Sequence, residues 1–260
     1  MIRHKTPKEI EQMKKGGKIL SDVLFEVLEH ALPGVSELEL DELAEKLIRQ
    51  KGGEPGFQKV PGYHHTICIS TNDVIVHGIP SESHLQMGDV VGIDCGVFLE
   101  GFHTDMSETI LVSNPKSQDI NHKNKEVQDF LETGKKALEL GIAQVKPGNR
   151  VGHISKAIQM IVEGAGYNVV HELIGHGVGK DLHEDPPIPG YVDKPIDKTP
   201  ILKEGMTIAV EVIYNMGTRF ITHVSEDDWT IKTKDGKLSG LFERTIAVTK
   251  NGYEILTPNC

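Results

Sequence analysis

The chain has 260 residues, 38% hydrophobic and 25% charged, with 38 acidic against 28 basic side chains and a formal net charge of −10. This length is ample for a real core, and the composition is that of an ordinary globular protein rather than a fibrous or disordered one. The acidic balance argues against a general nucleic-acid binder, which carries a basic surface.

In chain order, Thr6-Pro7-Lys8-Glu9 has the form of a capping box with proline at the first helical position. Apolar residues follow at helical spacing through Ile10, Met13, Ile19, Leu20, Val23, Leu24 and Val27, and Pro33-Gly34 closes that helix. A second helix is predicted over Ser36 to Gln50, with Leu38, Leu40, Leu43 and Leu47 as its buried side and Gly52-Gly53 at its end. Strands follow in "TICIS", "VIVHGI", "VVGIDCGVF" and "TDMSETILV". Helices return at about 122–141 and 149–165, the second announced by Pro147-Gly148-Asn149. Strands then run from about 168 to the end, with Asp235-Gly236 and Asn251-Gly252 as hairpin turns. Two helices then strands, twice over, reads as a duplicated architecture in a single α+β domain spanning 1–260, since strands group in meanders and no low-complexity linker divides the halves.

Cys68, Cys95 and Cys260 are too few and too scattered for a zinc knuckle or a disulfide framework, which suits a reducing compartment. The opening "MIRHKTPKEIEQMKKGG" is charged, and no segment reaches the roughly eighteen apolar residues of a membrane span. A cytoplasmic protein, away from membranes, is expected.

The chemistry begins at the hairpin "DCGVFLEGFHTD". A turn at Leu99-Glu100 sets Asp94 opposite Asp105, whereas a turn at Glu100-Gly101 makes them diagonal neighbours. Both registers leave the two carboxylates on one face. A solvent-facing acidic pair is the plain alternative. Glu211 lies inside the apolar run "MTIAVEVIY", where an unpaired acid is costly. Glu243 lies in "GLFERTIAV", where a surface ion pair with Arg244 is the competing reading. His176 sits in "IGHGVG", with glycines that let the backbone turn sharply and expose the ring. Two Asp, two Glu and one His form a ligand set for hard-to-borderline divalent ions, and two such ions at +4 balance four carboxylates at −4. His77, in "VIVHGIP", and His183, in "KDLHEDP", would beside such ions donate hydrogen bonds to a substrate or a developing oxyanion.

The ordered set "VIVHGIP", "GIDCGVFLEGFHTD", "IGHGVGKDLHEDP", "EGMTIAVE" and "GLFERTIAVT" closely resembles the type I methionine aminopeptidases, and the match runs from "KTPKEIEQMKKGG" to "NGYEILT". Without a long N-terminal extension or a helical insertion between His176 and Glu211, it is similar to the short bacterial form. The resemblance implies the pita-bread fold, two αβ halves related by a pseudo-twofold. It implies Asp94, Asp105, His176, Glu211 and Glu243 as metal ligands, with Asp105 and Glu243 bridging two ions, and cobalt, manganese, iron or zinc all suit such a set. It implies Glu211 as general acid/base, His77 and His183 at the scissile amide, and Tyr63, Cys68, Leu182 and Trp229 in the side-chain pocket. Leu182 stands where an aromatic is common, and Val212 replaces the proline that generally follows the glutamate ligand. The implied substrates are N-terminal methionyl peptides and nascent chains, with ribosome contact implied by the resemblance alone, no specific nucleic acid, and no demand for more than a monomer. An Xaa-Pro peptidase and a catalytically inactive binding protein of the same fold are the alternatives. The first usually has an extra N-terminal domain, and the second loses ligands that persist here.

Overall fold

The structure is a computed structural model that describes residues 2–113, 122–225 and 227–259. Its helices are α1 (Pro7–His30), α2 (Glu37–Gln50), α3 (His122–Ile142) and α4 (Val151–Gly164). The strands of the first half are β1 (Glu54–Pro55), β2 (Ile67–Thr71), β3 (Val74–Val76), β4 (Val90–Leu99) and β5 (Phe102–Leu111). Those of the second half are β6 (Asn168–Val169), β7 (Gly175–Gly177), β8 (Glu184–Ile188), β9 (Thr207–Asn215), β10 (Ile221–His223), β11 (Ile231–Thr233), β12 (Ser239–Thr249) and β13 (Gly252–Ile255). Ten of these strands form one antiparallel sheet of order β1-β4-β5-β12-β9-β7-β8, with β2 also on β4, β6 on β9 and β13 on β12. Strands β10, β11 and β3 make a smaller sheet. The β4-β5 pair of one half thus meets the β12-β9 pair of the other at a central seam, the duplicated arrangement the sequence predicts.

Both early helices are capped as their sequences dictate. Thr6 Oγ1 accepts from Glu9 N while the Glu9 carboxylate accepts from Thr6 N, and Ser36 and Glu39 do the same for α2. The buried stripe of α2 differs from the expected leucine side. Leu40 and Leu47 are buried, but Leu38 and Leu43 lie half-exposed, and Asp41, Ala44 and Ile48 complete the inner face. A carboxylate on that face, Asp41, reorients the helix because it has donors waiting for it.

Alternation then decides the face of every strand residue. Val91, Ile93, Cys95 and Val97 pack with Leu20 and Leu24 of α1 and with Leu40 and Ala44 of α2, so Asp94 faces the other way. Ile208, Val210, Val212 and Tyr214 pack with Phe130 of α3 and Ile158 of α4, so Glu211 also faces away. Met106 lies opposite Arg244 across the seam, and both face the helices. All four helices therefore cover one face of the sheet, leaving Asp105 and Glu243 on the opposite one. The β4-β5 hairpin turns at Glu100-Gly101, both at positive φ (49° and 89°), the geometry of a type I′ turn. Asp105 pairs with Gly96 and Asp94 with Ser107. Of the two possible registers the diagonal one holds.

One other expectation is corrected, and one competing reading is set aside. Asp235-Gly236 is a turn, but it joins β11 to β12, which lie in different sheets and are not partners. Arg244 does not serve Glu243 as a surface counter-ion. Its guanidinium is buried on the helix face, donating to the Glu108 carboxylate at 2.6 Å and to the backbone carbonyls of Ser107 and Glu243.

Asp41 ties α2 to the loop that leads into β2. Its carboxylate accepts from the backbone N–H of Thr66 at 2.8 Å and of Ile67 at 3.0 Å, and meets His65 Nδ1 at 3.1 Å. Asp41→Ala leaves those two buried donors without an acceptor, at roughly 1–3 kcal/mol each, and should lower unfolding stability by about 2–6 kcal/mol in denaturant titration. Asp41→Asn keeps one acceptor oxygen and should cost less than half as much.

Candidate metal centre

Sheet register assembles the acids. A row of directly opposed residues, Asp94, Ser107, Glu243 and Glu211, crosses β4, β5, β12 and β9. Asp105 stands two residues along β5 from Ser107, and so on the same face. His176 pairs with Ala209 on β9 and so shares the face of Glu211. Its flanking glycines are needed for close approach: a Cβ on Gly175 would lie 2.5 Å from the Ala209 carbonyl oxygen, and one on Gly177 would lie 2.2 Å from that of Asp185.

His176 Nδ1 is 2.8 Å from the carbonyl of Gly177. A carbonyl only accepts, so Nδ1 holds the proton and the Nε2 lone pair is left for the acids. Nε2 stands 3.4 Å from Glu211 Oε1 and 3.9 Å from Asp105 Oδ2. Ligand atoms of Asp105, His176 and Glu243 lie within 4.8 Å of one another. Two carboxylate oxygens here, Asp94 Oδ1 and Glu243 Oε1, are buried with no hydrogen-bond donor. Orphaned acceptors beside an imidazole lone pair fit a divalent cation in both charge and donor chemistry.

The electrostatics agree. Burial, then the charges of Asp105 and Glu211, push Asp94 well above the carboxylate range. Burial raises Asp105 to about 7, and burial followed by the Asp105 charge raises Glu211 to about 8. Glu243 is raised strongly by burial and by its three acidic neighbours. Burial, reinforced by His183, lowers His77 and His176 to about 4, and burial lowers His183 too, so the imidazoles are neutral and offer no counter-charge.

All eleven residues singled out in the sequence line one cavity of about 290 Å³. The candidate ligands Asp94, Asp105, His176, Glu211 and Glu243 share it with His77 and His183 and with Tyr63, Cys68, Leu182 and Trp229. His183 packs against His176 with ring centroids 4.4 Å apart, and His77 meets Trp229 edge-on at 6.5 Å. His77 is held at φ 56°, a conformation that costs a non-glycine residue energy and clusters at functional sites. Tyr63 donates its hydroxyl to the Ile67 carbonyl and packs edge-on against Trp229 at 5.1 Å. Burial, then the charge of Asp94, raises the Cys68 thiol far above its usual range, so it lines the wall as a neutral group. Sequence reasoning missed Phe57 and Val60, which join this wall, and Glu172, Leu173 and Ile174, which also line the cavity. Phe57 lies in a three-residue 3₁₀ turn with no periodicity to mark it.

With that geometry established, likeness to known proteins becomes decisive. The sequence pattern of metallopeptidase family M24 matches residues 11–250. The chain belongs to this family. Among M24 metallopeptidases, methionine aminopeptidase 1 of Bacillus subtilis is 42% identical over 257 residues, covering 99% of both chains. The solved methionine aminopeptidase from Thermotoga maritima superposes with a TM-score of 0.91 at 38% identity, again covering 99% of each chain. The pita-bread fold is thereby shared in full. The prolidase from Pyrococcus horikoshii OT3 has the same fold at TM-score 0.76 and 25% identity, but this chain covers only 64% of it.

An M24 metallopeptidase built this way should respond to pH in an unusual direction when stripped of metal. Glu211 has an ordinary value of 4.5, raised in the fold to about 8, so the folded state holds more protons than the unfolded chain across that interval. Stability of the metal-free protein should therefore fall as pH rises from 5 to 8, since deprotonation favours the unfolded state. Calorimetric melting of chelated protein should show this decline, and added Mn²⁺ should remove it.

Proposed function

We propose that this chain removes the amino-terminal methionine from peptides and nascent proteins by metal-assisted hydrolysis of the first peptide bond. The carrying observation is the convergence of Asp94, Asp105, His176, Glu211 and Glu243 in one cavity of a chain that matches methionine aminopeptidases end to end. These five residues would hold divalent ions, and bound ions supply Lewis acidity and the positive charge the acids require. The count of four carboxylates favours two ions.

The protein's own groups account for the rest. Glu211, whose carboxylate opens into the cavity beside His176, takes a proton from the attacking water and returns it to the leaving amine. His77 and His183, neutral because burial disfavours their charged forms, donate N–H hydrogen bonds to the scissile amide and to the oxyanion that replaces its carbonyl. Tyr63, Cys68, Leu182, Trp229 and the newly found Phe57 and Val60 form an apolar, partly sulfur-lined wall suited to an unbranched thioether. Leucine at 182 gives a shorter wall than an aromatic there would. The same reading takes the whole span 1–260 as one catalytic unit acting in the cytoplasm as a monomer, with a small residue preferred after methionine. Ribosome contact belongs to it through family resemblance.

Purified protein loaded with Mn²⁺ or Co²⁺ should release methionine from a Met-Gly-type peptide and leave an Xaa-Pro peptide intact. Release that persists in excess chelator contradicts the reading. Glu211→Gln should lower kcat by roughly 10²–10⁴-fold, the usual worth of a positioned acid/base. Full turnover in that variant overturns the role given to Glu211.

A further inference from the structure

Strands β5 and β12 meet where the two halves of the molecule join, yet their backbone ladder is short. It consists of Glu243 opposite Ser107 and Arg244 opposite Met106. Its flanking pairs, β4 with β5 and β12 with β9, run in register from Val90 to Leu99 and from Ser239 to Ala247. At each end of the short ladder a threonine hydroxyl stands where the next rung belongs. Thr245 Oγ1 accepts from the Asp105 N–H at 2.9 Å and donates to the Asp105 carbonyl at 2.8 Å. From the other strand, Thr109 Oγ1 accepts from the Leu241 N–H at 2.9 Å and donates to the Leu241 carbonyl at 2.6 Å.

Both threonines are fully enclosed, with exposures of 0% and 1%. Thr245 has no way back to a direct rung, because its own N–H goes to Thr257 Oγ1 and its carbonyl takes the N–H of Leu256, each at 2.9 Å. A hydroxyl has one proton to give and lone pairs to receive, so a single threonine satisfies both backbone groups of the residue it faces. It also inserts a side chain between two backbones, so the strands part on either side of the central rungs. Asp105 is itself one of the two bridged residues, and Leu241 lies two positions before Glu243 on the same strand.

We infer that Thr245 and Thr109 are positioning residues, paired spacers that set the separation of Asp105 and Glu243 across the seam and thereby fix the metal centre. This rests on the reading of those two acids as ligands. Valine matches threonine in shape but lacks the hydroxyl, so it leaves the bridged N–H and carbonyl unpaired, whereas serine keeps the bridge.

The test is calorimetric titration of chelated protein with Mn²⁺, with circular dichroism to verify folding. Thr245→Val should bind at least tenfold more weakly than the unaltered protein, within the 10–100-fold span that groups supporting ligands command. Thr245→Ser should stay within about threefold, on the same principle. Unaltered affinity in Thr245→Val, or equal loss in the serine variant, overturns the proposal. Should Thr245→Val not fold, Thr109→Val decides it: a comparable weakening is expected, and unchanged affinity overturns the spacer role. Unaltered protein that takes up no Mn²⁺ overturns the ligand reading as well, which separates the two failures.

Discussion

Four carboxylates crowded on one face of a central sheet can be charged together only if a cation lies among them. Moving one such ion out of water costs several kcal/mol even after the protein relaxes. Protein groups do not meet that cost here. Among the described residues lining the cavity there is no lysine or arginine, and burial keeps its three histidines neutral. The guanidinium of Arg244, the residue after Glu243, is on the helix face and committed to Glu108. The acids therefore hold protons or hold metal, and the rest of the molecule is arranged around that choice.

The fold provides the crowding by simple means. Period-two alternation turns Val91, Ile93, Val210 and Val212 to the helices and every candidate ligand to the other face, where Ile213 and Leu241 also line the cavity. Duplication supplies two antiparallel pairs, and abutting them along β5 and β12 brings ligands from both halves into one row. The candidate ligands are divided between the halves: one contributes Asp94 and Asp105, the other His176, Glu211 and Glu243. A centre at the seam also makes metal occupancy a clamp between halves, coupling ion binding to folding.

Much of this was legible in the sequence, and for identifiable reasons. The apolar, strand-forming runs around Asp94 and Glu211 and the glycines beside His176 mark these three residues as candidate ligands from the sequence alone. A capping box marked where α1 begins. What stayed hidden depended on contacts distant in the chain. The hairpin register turned on whether Glu100-Gly101 or its neighbour adopted positive φ, which residue type alone left open. Arg244 looked like a partner for Glu243 because the two are adjacent, but adjacent strand residues point to opposite faces. The spacing of leucines points to one side of α2, but Asp41 turns the helix toward donors that only the loop at 65–67 reveals. Phe57, Val60 and the threonine spacers follow no period. Their roles exist only once distant strands are paired.

The most direct test of the central claim is anomalous diffraction from crystals grown with Mn²⁺. The account predicts two anomalous peaks about 3.5–4 Å apart, the usual spacing of a two-metal site, lying between Asp105 and Glu243. Absence of peaks there, with the four acids turned outward or paired with protein cations instead, would contradict it.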